Sequence, residues 1–149
     1  MTGRLLGVDY GKRRIGLAIS DPTRTIATPL ATLVRRPGKR PPWPEIHRVI
    51  TESEVVGVVV GLPLEMGGEE GDWAAEVRAF GADFARRSGL AVDYVDERFS
   101  SVQAERAVRG IGLSRTHRED KSRVDAAAAA VLLQRFLDIS TNASHVRSD

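Results

Sequence analysis

Short apolar runs punctuated by turn residues organise this chain. Leu5-Leu6-Gly7-Val8-Asp9-Tyr10 reads as a buried strand that ends in the turn Gly11-Lys12-Arg13-Arg14. Ile15-Gly16-Leu17-Ala18-Ile19-Ser20 then reads as a second strand, closing a hairpin. A third strand lies within Ile26 to Val34, and the basic stretch Arg35 to Pro42, broken by Pro37, Gly38 and Pro41, is a loop. Pro44 suits the first turn of a helix, with Ile46, Val49 and Ile50 at helical spacing behind it. Val55 to Val60 is a β-branched run suited to a strand buried on both faces. After Gly67, Gly68 and Gly71, Asp72 is placed to cap a helix whose Trp73, Val77, Phe80 and Phe84 share a stripe, stopping near Gly89. Leu90 to Val95 is the next strand. Ser100 with Gln103 makes a capping box for a helix ending near Gly110, and Ser122 is placed to cap a last helix reaching about Leu137.

Three strands with short connections pair antiparallel, whereas strands joined through helices become parallel neighbours. The pattern therefore predicts an α/β fold: a mixed five-stranded sheet, three antiparallel strands followed by parallel ones, with helices packed on it. Residues 1–138 form a single domain in this reading, and 139–149 a flexible polar tail.

Composition narrows the class. A chain of 149 residues suits one domain, and 42% hydrophobic with 28% charged residues is the balance of a folded globular protein. No apolar run approaches the roughly 20 residues that span a bilayer. The N-terminus passes directly into a strand, so neither a membrane segment nor a signal peptide is expected, and a cytoplasmic location fits. The absence of cysteine excludes disulfides, thiolate zinc sites and cysteine nucleophiles. The net charge of +2 gives no global attraction to polyanions. The basic residues are nearly all arginine, whose planar fork suits phosphate, although a biased genome composition produces the same excess. A nucleic-acid partner must then be held by local basic patches.

Three carboxylates break local rules. Asp9 directly follows the apolar run Leu5 to Val8, where an ionised carboxylate is costly unless paired, or else it starts the Tyr10-Gly11 turn by accepting backbone N–H groups. Asp96 and Glu97 end a strand, and alternation lets only one of them share a face with Asp9. Asp125 falls on the stripe of Ala128, Ala129, Leu132 and Phe136, unless it completes a capping box with Ser122. Together, two strand-end acids and one helix acid make an all-oxygen donor set for a hard cation such as Mg²⁺. Two such ions about 3.5–4 Å apart support phosphodiester cleavage. The three histidines, His47, His117 and His145, do not occur at metal-ligand spacing.

Gly7-Val8-Asp9-Tyr10-Gly11-Lys12-Arg13-Arg14-Ile15-Gly16-Leu17-Ala18-Ile19-Ser20-Asp21 resembles the opening motif of the YqgF (RuvX) family. Val59 to Leu64 and on to Gly71, Asp96-Glu97-Arg98-Phe99-Ser100-Ser101, and Val124-Asp125-Ala126-Ala127-Ala128-Ala129 with Leu132-Leu133 match its other blocks in order. The resemblance spans Leu5 to Leu137. It implies a ribonuclease H-like fold related to Holliday-junction resolvases of the RuvC type. It also implies two activities: a nuclease maturing the 5′ end of the small-subunit (pre-16S) ribosomal RNA precursor, and a resolvase of branched DNA.

Carried over, Asp9, Glu97 and Asp125 are the metal-binding catalytic acids, with Mg²⁺ or Mn²⁺ as cofactor and Asp96 as the rival for the second place. An acid on the strand beyond Asp9's neighbour starts about 9–10 Å away, which favours the longer glutamate. Lys12, Arg13, Arg14, Arg98, Ser100, Arg118, Lys121 and Arg123, with Arg115 beside them, become candidates for holding nucleic acid around the metal site. Symmetric cutting of a junction calls for a homodimer. Two other readings stay open. One is an ATP-binding phosphotransferase of the actin and sugar-kinase group, suggested by Asp9-Tyr10-Gly11 followed by Gly16. The other is a nucleic-acid-binding module without catalysis.

Overall fold

A computed structural model describes residues 2–36, 38–97 and 118–147, with side chains in the last segment described for 124–141. The elements are β1 (Arg4–Tyr10), β2 (Arg14–Ser20), β3 (Ala27–Val34), α1 (Trp43–Glu52), β4 (Val55–Leu62), α2 (Asp72–Ser88), β5 (Ala91–Asp96) and α3 (Arg118–Arg147). The strands lie in the order β3-β2-β1-β4-β5. β1 pairs antiparallel with β2, and β2 with β3, while β1–β4 and β4–β5 are parallel. This is the mixed five-stranded sheet that the apolar pattern predicts.

Helices cover both faces. Leu6, Val8, Tyr10, Ile15, Leu17, Val58 and Val60 pack toward Ile46 of α1 and Val77, Phe80 and Phe84 of α2. Leu5, Ala18, Val59 and Val95 pack on the opposite face against Ala128, Ala129, Leu132 and Leu133 of α3. The two central strands β1 and β4 are thus buried on both sides, which is why their sequences run almost unbroken in apolar residues rather than alternating. α3 lies low over β1. A Cβ on Gly7 would stand 2.8 Å from Leu133 Cβ and 3.1 Å from the Ala129 carbonyl oxygen.

Several boundaries differ from the sequence-based expectation. α2 begins at Asp72, with Gly71 at the cap position and no side-chain capping bond, so Asp72 acts instead as an acid in the first turn, favourable toward the helix dipole. Its other end is as expected, closed by Gly89 at φ 74°. α3 is already helical at Arg118, which places Ser122 inside the helix rather than at its cap and removes the capping-box account of Asp125. The helix also continues through 139–147, the stretch expected to be a tail. No glycine or proline follows Leu137 to stop it. The helix expected between Ser100 and Gly110 lies outside the described residues.

The β2–β3 turn is organised by Asp21. Its carboxylate accepts the backbone N–H groups of Thr25 at 2.8 Å and Ile26 at 2.7 Å, and the hydroxyl of Thr23. The bond from the Ile26 N–H is the largest cause that lowers the Asp21 carboxyl to about 2, with Thr23 next. A depressed carboxyl contributes stability that is fully present above its ordinary value and is lost as pH falls through the folded one. NMR titration of Asp21 should therefore show a midpoint near 2, and Asp21→Asn should flatten the loss of stability on acidification in that window. An ordinary midpoint would contradict this account of the turn.

Candidate active site

Asp9 is the next-to-last residue of β1, and it faces α3 together with Leu5 and Gly7. Its partner across the antiparallel pair is Gly16 of β2. On the other side Val8 pairs with Val60, which puts Asp9 beside Gly61 of β4. Asp9 is thus flanked by two glycines on one face of the sheet. A Cβ on Gly16 would stand 2.0 Å from the Asp125 carbonyl oxygen. A Cβ on Gly61 would stand 2.5 Å from Leu132 Cδ1 and 3.1 Å from Glu97 Oε2. The missing side chains admit the backbone of Asp125 over one glycine and the carboxylate of Glu97 over the other.

The register separates the two strand-end acids. Gly61 pairs with Val95 and Leu62 with Asp96. Val95 packs against α3, whereas Val92 and Tyr94 pack against the core under α1 and α2. Alternation then puts Asp96 on the α1/α2 side and Glu97 on the side of Asp9. The Glu97 N–H donates to the Leu62 carbonyl at 3.2 Å, which extends the β4–β5 pairing by one residue and holds Glu97 over the sheet.

Asp9 and Glu97 are 6% and 5% exposed. Burial, and secondarily the negative charge of Asp96, pushes the Glu97 carboxyl above its ordinary value. Asp125 accepts a hydrogen bond from the Arg14 Nε and forms an ion pair with it. Among the described residues, no three histidine or acidic side chains stand close enough to hold one metal ion together. The sheet and α3 put Asp9, Glu97 and Asp125 on the same side of β1 but not in one cluster, and Asp125 is engaged by an arginine.

Lys12 and Arg13 are exposed on the β1–β2 turn. Arg14, a candidate for holding nucleic acid, pairs with Asp125. Arg118, Lys121 and Arg123 fall in the first two turns of α3. Arg98, Ser100 and Arg115 lie outside the described residues. Gly61 is not singled out by the sequence reading, Gly16 enters it only through the phosphotransferase motif, and Arg35 only as the start of a basic loop that is a weaker candidate for holding nucleic acid. The Arg35 Nη1 donates to the carbonyls of Gly11 at 3.3 Å and Lys12 at 3.4 Å, and its backbone N–H donates to Arg13 O at 2.7 Å. It thereby fixes the turn that carries Lys12 and Arg13. A glycine inside a strand, as at 16 and 61, is the sequence signal for a close approach of another backbone or side chain.

Residues 3–139 match the sequence model of RuvX, described as Holliday junction resolvase. The chain belongs to the RuvX family. A protein of Anaeromyxobacter sp. (strain Fw109-5) named "Putative pre-16S rRNA nuclease" is 45% identical over 135 residues, covering 91% of this chain and 96% of the relative. One of the same name from Chloroflexus aggregans is 41% identical over 138 residues, covering 93% and 95%. Among solved structures, T. thermophilus RuvC in complex with a Holliday junction substrate superposes with a TM-score of 0.51 at 20% identity, covering 93% of this chain and 96% of that one. Fowlpox virus resolvase with Holliday junction DNA superposes with a TM-score of 0.53 at 13% identity, covering 91% and 97%. These likenesses place the RuvX chain in the ribonuclease H-like fold that its motifs imply. Among its described residues, no helix is long and apolar enough to cross a membrane.

Two substitutions test this packing. Gly16→Ala forces a methyl into the backbone of Asp125, which cannot yield as a flexible side chain would. Overpacking of this kind costs on the order of 1–3 kcal/mol, so denaturant unfolding should show at least that loss. A carboxyl raised in the fold contributes fully below its unfolded value and loses that contribution as pH rises through the folded one. Glu97→Gln should therefore match the parent near pH 4 and unfold at higher temperature at pH 7 in chelator. A lower Tm at pH 7 would show that the carboxylate charge is a net stabiliser.

Proposed function

We propose that this chain is a divalent-metal-dependent nuclease whose substrate is the precursor of the small-subunit ribosomal RNA, cut at its 5′ end. The chemical class, hydrolysis of a phosphodiester, is what its family and its named relatives share. What supports the site assignment is that Glu97 and Asp125, distant in sequence, lie over the two glycines that flank Asp9, on its side of the sheet, though the three do not yet form one metal-holding cluster. The donors suit a hard cation in kind, being all oxygen, but they would have to close up around it, and Asp125 would have to exchange Arg14 for it.

Asp9, Glu97 and Asp125 would hold the metal, Mg²⁺ or Mn²⁺. Such an ion, when bound, polarises the phosphoryl oxygen and lowers the pKa of water so that it can attack at neutral pH. The rigid sheet edge holds Asp9 and Glu97 in place, and their burial excludes bulk water from the donor atoms. Arg14 neutralises Asp125 and keeps it against the sheet. Lys12 and Arg13, exposed beside Asp9, supply backbone-phosphate contacts that are salt-dependent and blind to sequence.

The family description favours a second reading, in which branched DNA is the substrate. Symmetric resolution of a four-way junction needs two active sites related by a two-fold axis, hence a dimer of this chain in solution.

Cleavage assays on precursor ribosomal RNA, single-stranded RNA and synthetic junctions, with and without Mg²⁺ or Mn²⁺, separate these readings. Metal-dependent cutting of the RNA precursor leaving 5′-phosphate and 3′-hydroxyl ends is expected. Asp9→Asn, Glu97→Gln and Asp125→Asn should each reduce turnover by more than about 100-fold, beyond the usual effect of outer partners, with the fold retained. Asp96→Asn should keep most activity. An inactive Asp96→Asn beside an active Glu97→Gln would reverse the assignment of the second acid. Binding without cleavage of any substrate would instead support a non-catalytic module.

A further inference from the structure

Four aromatic rings under the α1/α2 face form a column. Trp43 and Phe80 stack at 5.4 Å and 11°, Phe80 and Tyr10 at 4.0 Å and 16°, and Tyr10 and Trp73 at 5.6 Å and 8°. The column starts in the core, where Trp43 is 5% exposed, and ends at Trp73, which remains partly accessible at the second residue of α2. Cations flank it: Arg35 lies 4.6 Å from the Tyr10 ring centre, and the Lys12 ammonium 5.4 Å from that of Trp73.

The position of this column matters more than its stability. Tyr10 directly follows Asp9, and successive strand residues point to opposite faces. Asp9 therefore faces α3 while Tyr10 faces the column, both at the same edge of the sheet. Trp73 lies at that edge too, because α2 starts beyond the C-terminal end of β4, which runs parallel to β1. Trp73 packs against this core beside Tyr10, yet its indole stays partly accessible and carries an exposed lysine over its ring.

We propose that Trp73 and Lys12 form a stacking subsite for an unpaired base of the nucleic acid, next to the phosphate that is cut. The proposal rests on the nuclease reading and deepens it. The base extends the column by one ring, and the flexible Lys12 side chain moves from the indole to the adjoining phosphate. Every base has a π face, so the subsite tolerates any sequence, but a base held in a duplex cannot enter it. The substrate feature it selects is an unpaired nucleotide beside the cut.

The test is binding of a labelled single-stranded RNA, scanned with one abasic nucleotide at a time, measured by anisotropy in chelator so that no turnover intervenes. One abasic position should weaken binding to the wild-type chain by about tenfold, the scale of one stacked base. Trp73→Ala should weaken binding of intact RNA by a similar factor and lose sensitivity to that abasic position, while Trp73→Phe retains most of the affinity. RNA should quench tryptophan fluorescence in the wild-type chain and not in Trp73→Phe, whose remaining Trp43 is buried. If Trp73→Ala fails to fold, the abasic scan and the quenching in Trp73→Phe decide. RNA that binds and is cut, with no sensitive abasic position or with independent effects of the abasic site and Trp73→Ala, overturns the subsite and leaves the nuclease reading standing. Absence of both binding and cleavage overturns both.

Discussion

The close seating of α3 on the sheet is the constraint on which the site depends. Three glycines of adjacent strands, Gly7, Gly16 and Gly61, form the floor under this helix, and a methyl group on any of them would collide with Leu133, the Asp125 backbone or Leu132. Without that low seating, the Asp125 backbone would not lie over Gly16, the cross-strand partner of Asp9, and the Glu97 carboxylate would have no hollow over Gly61. Packing and chemistry are thus one feature here. The glycines cost backbone entropy in the unfolded chain, and what they supply is proximity between groups more than a hundred residues apart.

Burial works against the charged form of Glu97. Two carboxylates are almost fully buried, and the Glu97 carboxyl is shifted upward by that burial. Such groups are costly in a fold unless charge is supplied to them, and a protein that needed only a core would place apolar residues there. Arg14 performs this service for Asp125. The three acids are the residues proposed to take a cation, and a cation would supply the charge that the two buried carboxylates call for.

Strand alternation divides the labour at this edge. Consecutive residues Asp9 and Tyr10 feed two different environments, one acidic and covered by α3, the other aromatic and flanked by Arg35 and Lys12. The turn between β1 and β2 joins them, and Arg35 holds that turn through the carbonyls of Gly11 and Lys12. A nucleic acid held as proposed would meet carboxylates on one side of this edge and the Trp73 end of the stacked rings on the other.

Most of the fold was legible in the sequence, because periodicity and short connections are local properties. The hairpin of β1 and β2, the doubly buried β4, the stripe of α2 and its stop at Gly89 all follow from residues within a few positions of one another. The ends of α3 were not legible. Ser122 and Asp125 have the spacing of a cap, and only the helix already formed at Arg118 shows that they lie inside it. The candidate acids could be named from the sequence, and alternation limited the second to Asp96 or Glu97 on a given face. Which one shares a face with Asp9 depends on register, and register between β4 and β5 is a tertiary property, set by pairing of Gly61 with Val95. The same holds for Arg14, whose partner is 111 positions away, and for Trp73, which reads as an ordinary stripe residue until Tyr10 is found beneath it. Local sequence determines which elements form and which faces are apolar. Contacts between strands and helices far apart in the chain depend on how those faces mate, and no local pattern encodes that.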